Sequence, residues 1–262
     1  MKLKIYQVDA FTDSVFSGNP AAVCPLDQWL DGSLMQKIAM ENNLAETAFY
    51  VKSGNEYQIR WFTPTVEVDL CGHATLAAAF VLFNYENHTE AEIRFLSPRS
   101  GELIVTQNGD FLTLNFPTDT LESVELTSEL TSGFNIMPIE AYKGKTDFML
   151  VFENEQQVKA LIPKMKQVEK IVARGIIVTA PGEEVDFVSR FFAPQSGINE
   201  DPVTGSAHTT LTPFWAKRLV KNELSAIQLS SRKGYLNCKF MDERVEISGQ
   251  AQLYLKGEIL VE

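Results

Sequence analysis

Short stretches of apolar residues, many of them alternating with polar ones, recur along most of the chain. A period of two residues is typical of strands with one buried face, and continuous apolar runs of about four to eight residues fit fully buried strands. Polar or glycine-containing breaks separate the stretches. The pattern predicts strands in the segments IYQVDAF, AFYV, YQIRWF, EIRFLS, ELIVTQ, FLTLNFP, DFMLVF, GIIVTA, DFVSRFF, RVEISG and AQLYLKG.

One predicted helix differs from the others because it has no polar face. Residues 74–83 read A-T-L-A-A-A-F-V-L-F, and a helix that is apolar all round must be buried on every side. A doubly wound sheet would leave one face of this helix wet, whereas a strongly curved sheet can wrap around it. We therefore predict an α+β fold in which a mixed, curved sheet surrounds a central helix.

Three further helices are predicted from local signals. Gly32 and Ser33 cap a helix over residues 34–42, and residues 156–165 form another. A helix that begins at Gly205 contains Pro213, which we expect to kink or break it.

Two segments about half the chain apart resemble each other. Arg60 opens R-W-F-T-P and Gly72 then opens G-H-A-T-L, while Arg190 opens R-F-F-A-P and Gly205 opens G-S-A-H-T-T-L. In both, an apolar strand ends at proline, a loop follows, and a glycine begins a helix. The alternative to a duplication is that a short apolar strand and a glycine-led helix resemble each other by chance. The shared order predicts two similar domains, residues 1–117 and 118–262, with the acidic stretch from 117 to about 133 connecting the halves.

Composition and charge narrow the classes of partner. The 262 residues are 45% hydrophobic and 22% charged, with a net charge of −11. The composition is that of an ordinary globular protein, but the charge argues against nucleic acid, whose recognition needs clustered Lys and Arg. Anionic membrane surfaces are disfavoured too, and the longest apolar stretch, residues 76–83, is far too short for a membrane span. The net charge does not exclude a small anionic substrate, because one pocket can be locally positive on an acidic protein.

Cysteine usage and the start of the chain bear on location. Cys24, Cys71 and Cys238 are too few and too scattered for a disulfide framework. The first residues, MKLKIYQVDAF, lack the apolar run of a signal peptide. We therefore expect a soluble, cytoplasmic protein.

The two glycine-led helices suggest an anion site. A helix N-terminus offers free backbone N–H groups and a partial positive charge, which suit a carboxylate. If the two halves face each other, Gly72 and Gly205 bring two such termini to one cleft. The alternative is that these glycines only permit tight turns.

Ionisable residues gather around both glycines. Glu46 lies apart from them, at the entry to an apolar strand, where burial can raise the pKa of a carboxyl group and make it a general acid and base. Each of these residues has a simpler interpretation: a capping or packing histidine, a turn-forming aspartate, a solvated glutamate. The two clusters are Asp69, Cys71 and His73 in the first half, and Glu200, Asp201, Ser206 and His208 in the second.

Other chemistries lack their motifs. The sequence contains no G-x-G-x-x-G, no G-x-x-x-x-G-K, no C-x-x-C, no H-E-x-x-H and no G-x-S-x-G, so dinucleotide, P-loop, zinc and serine-hydrolase sites are unsupported. Cys71 and His73 form a close pair, but two ligands do not make a zinc site. We therefore expect a reaction that uses neither a cofactor nor a metal.

Four motifs, in order and spread over nearly the whole chain, resemble the PhzF-like family of phenazine biosynthesis. The resemblance implies the fold of diaminopimelate epimerase, in which two similar domains each wrap a mixed sheet around a central helix. The best-known member isomerises a dihydro-hydroxyanthranilate. The motifs are G-N-P-A-A-V from Gly18, L-A-E-T-A-F from Leu44, D-L-C-G-H-A-T-L from Asp69 and E-D-P-V-T-G-S-A-H from Glu200.

The resemblance assigns roles by position. Glu46 matches the catalytic acid/base, while His73 and Asp201 match residues that assist proton transfer and hold the substrate. It also implies a small carboxylate substrate and a homodimer. The positions that match substrate-binding residues are Asn19, Gly72, Gly205 and Ser206.

The leading prediction is a cofactor-independent isomerase that shifts a proton between carbons of a small carboxylate. A second reading is an epimerase or racemase. Related epimerases use two cysteines, and here Cys71 matches the first position while Asp201 stands near the second, so a non-cysteine partner would be needed. A third reading is a non-catalytic protein that binds a metabolite on the same fold.

Overall fold

The computed structural model describes residues 1–261, except for the side chain of Ser196. It forms two compact units: Met1–Asn115 together with the segment that starts at Ser248, and Phe116–Ile247. The division lies two residues from the predicted boundary, but the C-terminal segment differs from the prediction, which placed it in the second half. It joins the first unit because Ala251–Leu260 pairs with the antiparallel strand Lys2–Ala10.

The chain is rich in strands, as the alternating pattern predicts. In chain order the elements are β1 (Lys2–Ala10), β2 (Asn19–Leu26), α1 (Gly32–Asn42), β3 (Glu46–Ser53), β4 (Glu56–Phe62), β5 (Glu67–Val68), α2 (Gly72–Tyr85), β6 (Glu92–Ser97), β7 (Gly101–Asn108), β8 (Phe111–Pro117), β9 (Glu122–Val124), α3 (Ser128–Thr131), β10 (Glu140–Lys143), β11 (Phe148–Val151), α4 (Glu155–Lys159), α5 (Met165–Val168), β12 (Ile176–Pro181), β13 (Phe187–Ala193), a short 3₁₀ helix (Pro194–Ser196), β14 (Ile198–Asp201), α6 (Gly205–Leu219), β15 (Glu223–Gln228), β16 (Gly234–Met241), β17 (Arg244–Gly249) and β18 (Ala251–Leu260).

Both units contain a mixed sheet with the same topology. In the first unit the strand order is β18-β1-β2-β3-β4-β6-β7-β8; β2–β3 and β4–β6 are parallel pairs, and the other pairs are antiparallel. In the second unit the order is β9-β10-β11-β12-β13-β15-β16; β11–β12 and β13–β15 are the parallel pairs. A short antiparallel strand, β5 or β14, adds to β4 or β13. Because the order and directions repeat from β1 and from β10, the topology confirms the predicted duplication.

The repeated arginine of the two similar segments has the same structural role in each unit. Arg60 on β4 makes a bidentate ion pair with Glu67 on β5, with N···O distances of 2.7 and 2.8 Å. Arg190 on β13 makes the matching pair with Glu200 on β14, at 2.7 and 3.0 Å. Bidentate pairs fix geometry as well as charge. Each pair therefore fastens the short strand that leads to the central helix of its unit.

The apolar helix α2 is buried on all sides, as its composition predicts. Leu76, Ala77, Ala78 and Ala79 are fully buried, and the helix contacts β1, β2, β3 and β18. The other helix of this unit, α1, packs Met35 and its neighbours against strand residues in a separate apolar cluster.

Of the expected kink or break at Pro213, the break is wrong, because α6 continues through it from Gly205 to Leu219. Proline has no N–H, so it leaves the carbonyl four residues earlier without its helical partner. That carbonyl belongs to Thr209, and it accepts the backbone N–H of Asp119 instead, at 3.2 Å. A residue far away in sequence therefore compensates for the proline.

Other local expectations need correction. The N-cap of α1 is Asp31, whose side chain accepts the N–H of Ser33, so the helix begins at Gly32 rather than after it. The helix predicted over residues 156–165 is two short helices, α4 and α5, and the predicted connection from 117 to 133 contains β9 and α3. No helix of the described residues is long and apolar enough to cross a membrane.

Candidate active site

Glu46 and His73 face each other in the interior of the first unit. Oε2 of Glu46 lies 3.2 Å from Nε2 of His73, and the two residues are 9% and 5% exposed. The distance is that of an ion pair, although neither atom makes an aligned hydrogen bond within the described part of the chain. An acid/base group held beside an imidazole, with little access to water, is suited to proton transfer.

The sequence places these side chains at one edge of the sheet. Asn43 adopts the left-handed conformation at the C-terminus of α1, with φ of 50°, and this ends the helix so that Glu46 becomes the first residue of β3. Asn19 is the first residue of the parallel neighbour β2. Parallel strands start at the same edge, and α2 begins there with His73 as its second residue.

The G-N-P motif has a steric basis. Gly18 has a φ of +66°, and a Cβ on it would lie 2.2 Å from the carbonyl oxygen of Ala10. Only glycine fits such a position. The backbone conformation of Gly18 thus determines the position of Asn19, the next residue. Nδ2 of Asn19 lies 3.2 Å from Nδ1 of His73.

The electrostatics of the first unit favour a charged imidazole. Burial opposes the charge on His73, but the neighbouring Cys71 and Glu46 outweigh it and raise the pKa of His73 well above 6.5. Burial, then the charge of Glu46, raises the pKa of the Cys71 thiol to about 11, so the thiol is protonated at neutral pH. A protonated thiol carries no charge, so at neutral pH the support for a charged imidazole comes from the carboxyl group of Glu46, 3.2 Å away.

Asn19 suits both charge states of His73. A neutral ring with its hydrogen on Nε2 accepts from the amide NH₂ of Asn19 at Nδ1. A charged ring carries hydrogens on both nitrogens, and the amide then presents its oxygen after a 180° rotation. The two orientations of this fully buried amide thus offer Nδ1 of His73 either a donor or an acceptor.

Glu46, Cys71 and His73 also offer three donor types that metals use, and their ligand atoms lie within 4.8 Å of one another. Nε2 of His73 faces Glu46, while Nδ1 lies 3.5 Å from Sγ of Cys71. In this arrangement each neighbour lies beside a different ring nitrogen, which suits proton transfer to and from the imidazole.

The second unit brings together the other predicted residues. Asp201 ends β14 and is 8% exposed; its Oδ2 accepts the hydroxyl of Thr204 at 2.6 Å. Gly205 begins α6, and Ser206 follows it. The expectation that this group and the Glu46 group serve one substrate stays a prediction.

Two residues of the second unit were not predicted from the sequence. Arg174 donates from Nη1 to Oγ of Ser206 at 2.9 Å, and its other face is paired with the buried Asp147. Ser206 is the second residue of α6, as His73 is of α2. The guanidinium of Arg174 thus contacts Ser206, the residue that corresponds to His73. No local sequence motif predicts this contact.

His208 is structural. It is fully buried, and burial lowers its pKa to about 4, so the ring is neutral. Nδ1 lies 2.9 Å from the carbonyl oxygen of Thr204 and donates to it. The two remaining acids of the predicted clusters bind arginines: Asp69 pairs with Arg99, and Glu200 with Arg190.

Comparison with known proteins decides the family. The model of the family described as phenazine biosynthesis-like protein matches residues 8–257. The chain belongs to this family. An uncharacterized isomerase of Pseudomonas aeruginosa is 51% identical, with 99% of each chain covered. A crystal structure of a PhzF family protein from Enterococcus faecalis is 48% identical, with full coverage of both chains and a TM-score of 0.97.

The fold extends beyond the family. The structure of a hydroxyproline epimerase from Agrobacterium vitis has a TM-score of 0.59 at 10% identity, covering 98% of this chain and 92% of that one. Such a distant likeness concerns the fold alone, and it confirms the predicted epimerase-like architecture.

Proposed function

We propose that this protein is an isomerase that moves a proton between two carbons of a small carboxylate, with Glu46 as the carrier. The observation that carries the proposal is the buried pair of Glu46 and His73, 3.2 Å apart. The isomerase name of the 51% identical relative supports the reaction class.

The step balances within the substrate and one side chain. The Glu46 carboxylate takes a proton from a carbon, the C–H bond breaks, and its electron pair spreads into the unsaturated or carboxyl system of the substrate. The carboxylic acid then returns the proton to a second carbon, where a new C–H bond forms. Neither an oxidant nor a cofactor is needed. Burial supports this transfer, because an acid with little access to water exchanges its proton slowly during one turnover.

Other groups of the chain stabilise charge during the step. His73, charged by its raised pKa, orients Glu46 and offsets negative charge beside it. The first N–H groups of α2, starting at Gly72, suit charge that builds on a substrate carboxylate. Ser206 and Gly205 offer the corresponding groups on α6, and Asp201 is the second proton-handling carboxyl in this proposal. A cytoplasmic location and a homodimer stay predictions.

The epimerase reading would use Cys71 as acid or base. Its Sγ lies 3.5 Å from Nδ1 of His73, but its pKa is raised to about 11, which leaves little thiolate at neutral pH. We therefore expect Cys71→Ser to retain activity. Loss of activity in that variant, together with inversion at a stereocentre, would favour the epimerase instead.

The test is hydrogen exchange in D₂O, followed by NMR and mass spectrometry. Dihydro-hydroxyanthranilate and trans-4-hydroxy-L-proline are the first probes, within a panel of small carboxylic acids. We expect the wild type to convert at least one acid into its proton-shift isomer, with deuterium entering whenever the carried proton is lost to water, and Glu46→Gln to lose at least about 10²-fold in the rate of both, the lower end of a general acid/base contribution. Glu41→Gln, an exposed glutamate on α1, is the matched control. Equal rates for Glu46→Gln and the wild type would refute the assignment.

A further inference from the structure

A buried glutamine holds the segment that carries Asp201. Gln228 is the last residue of β15 and is fully buried. Its Nε2 donates to the carbonyl oxygen of Asp201 at 2.8 Å, and its Oε1 accepts the N–H of Thr204 at 2.8 Å. One side chain thus binds Asp201, the last residue of β14, and Thr204, the residue before α6, on the two sides of the short link between them.

The same glutamine also reaches the carboxylate indirectly. Nε2 of Gln228 lies 3.1 Å from Oγ1 of Thr204, and that hydroxyl donates to Oδ2 of Asp201 at 2.6 Å. A hydroxyl has one hydrogen, so the donation from Gln228 leaves that hydrogen for Asp201. The chain of donors runs in one direction, and bonds linked in this way strengthen one another.

The first unit holds the corresponding link between its short strand and its central helix with other side chains. Ser97 is the last residue of β6, the strand that follows the central helix of the first unit, as β15 follows α6. Its hydroxyl donates to the carbonyl oxygen of Asp69 at 3.4 Å, and Asp69 is exposed. Oγ of Ser100 donates to the same carbonyl oxygen at 2.6 Å, so the first unit holds its link through serine hydroxyls. In the second unit, Gln228 bonds the backbone and also the Thr204 hydroxyl that holds the Asp201 carboxylate.

We infer that Gln228 is a positioning residue, which acts through Thr204 to hold the Asp201 carboxylate in one orientation. This inference rests on the proposed function, in which Asp201 handles a proton. A buried amide is costly unless its hydrogen bonds are made, and a packing role alone would suit an apolar side chain. Within the described residues, the three side-chain hydrogen bonds of Gln228 go to Asp201 and Thr204, so its side-chain polar atoms serve this link.

The test compares four variants by crystallography and by deuterium exchange. Thr204→Val removes the hydroxyl at nearly constant shape, Thr204→Ser keeps it, and Gln228→Leu removes the amide. Thr179→Val is the matched control, because Thr179 is also a buried threonine and bonds Val188 and Trp215 instead. We expect the Asp201 carboxylate to turn away in Thr204→Val and Gln228→Leu, and to stay in Thr204→Ser and Thr179→Val.

The kinetic arm separates positioning from general destabilisation. In Thr204→Val and Gln228→Leu the exchange rate at a saturating concentration of the substrate should fall by roughly 10- to 100-fold, with a smaller change in KM. Both variants disrupt the hydrogen bonding that holds the Asp201 carboxyl group, and a misplaced proton-handling group slows the reaction more than it weakens binding. Thr204→Ser should restore the rate, and Thr179→Val should keep it. An unmoved Asp201 in both disrupted variants would overturn the inference, as would equal rate losses in Thr179→Val. If the wild type exchanges none of the acids, the proposed function fails, and the crystal structures alone still decide the positioning.

Discussion

The ion pair between Glu46 and His73 should contribute measurably to stability. Glu46→Gln and His73→Gln each remove one partner, and the double variant removes both. A double-mutant cycle isolates the coupling between the two side chains from their other contacts. The cycle tests whether the imidazole is charged, which the proposed function requires.

The magnitude follows from the geometry. The atoms are 3.2 Å apart, and Coulomb's law at an effective dielectric constant of about 20 gives about 5 kcal/mol at that distance. Burial of both groups offsets part of the attraction. We therefore expect a coupling energy of about 2 to 4 kcal/mol at pH 6. The pair of Arg60 and Glu67, with side chains 23% and 20% exposed, is the control and should couple by about 1 kcal/mol.

The assay is urea unfolding of the four proteins as a function of pH. The pKa of His73 is raised in the folded state above 6.5, so the coupling is fully present below pH 6.5 and is lost as the pH rises through the raised pKa. NMR of the three histidine rings should show His73 charged at neutral pH in the wild type. A coupling below about 0.5 kcal/mol, within the error of additivity, or a neutral His73 ring at pH 6, would refute the reasoning.

Three further predictions concern stability. Gly18→Ala places a Cβ 2.2 Å from the carbonyl oxygen of Ala10 at a φ disfavoured for alanine, so urea unfolding should show a loss of at least about 1 to 3 kcal/mol. Pro213→Ala should change stability by less than about 1 kcal/mol, well short of the ~3 kcal/mol cost of an ordinary helical proline, because Thr209 already has a partner. The lowered pKa of His208, about 4, means that stability should fall by up to about 3 kcal/mol as the pH drops from about 6.5 to 4, and His208→Asn should remove this dependence in acid titrations of unfolding.

Much of the fold is predictable from local patterns, and the exceptions have physical causes. The uniform apolar surface of α2 requires burial on all sides, and the paired Arg and Gly signals reveal the duplication. Strand β2 escapes prediction because it contains Pro20 and Pro25. Each proline lies where β2 has a neighbour on one side only, Pro20 opposite β1 and Pro25 opposite β3. A missing N–H is tolerated there.

The part of the candidate site that is formed by residues of local sequence motifs can be predicted from the sequence. His73 and Cys71 stand beside a helix start, and Glu46 stands at a strand start, so the motifs identify them. Gln228 comes from the distant strand β15 and Arg174 from the loop before β12, and only the three-dimensional structure brings them to Thr204 and Ser206. The glutamate five residues before each helix-opening glycine is a signal that could have revealed the Arg–Glu pairs. Long-range hydrogen bonds leave no local pattern, which is why these partners were missed.

The transfer of a carbon-bound deuterium in H₂O tests the role of Glu46 most directly. An acid identified by the exchange screen is labelled at the carbon that loses its proton, and the product is examined after a single turnover. We predict that part of the deuterium appears on the second carbon of the product, because the buried Glu46 carboxyl carries it there, and that Glu46→Gln transfers none. Complete loss of the label to water in the wild type, or undiminished transfer in Glu46→Gln, would contradict the account.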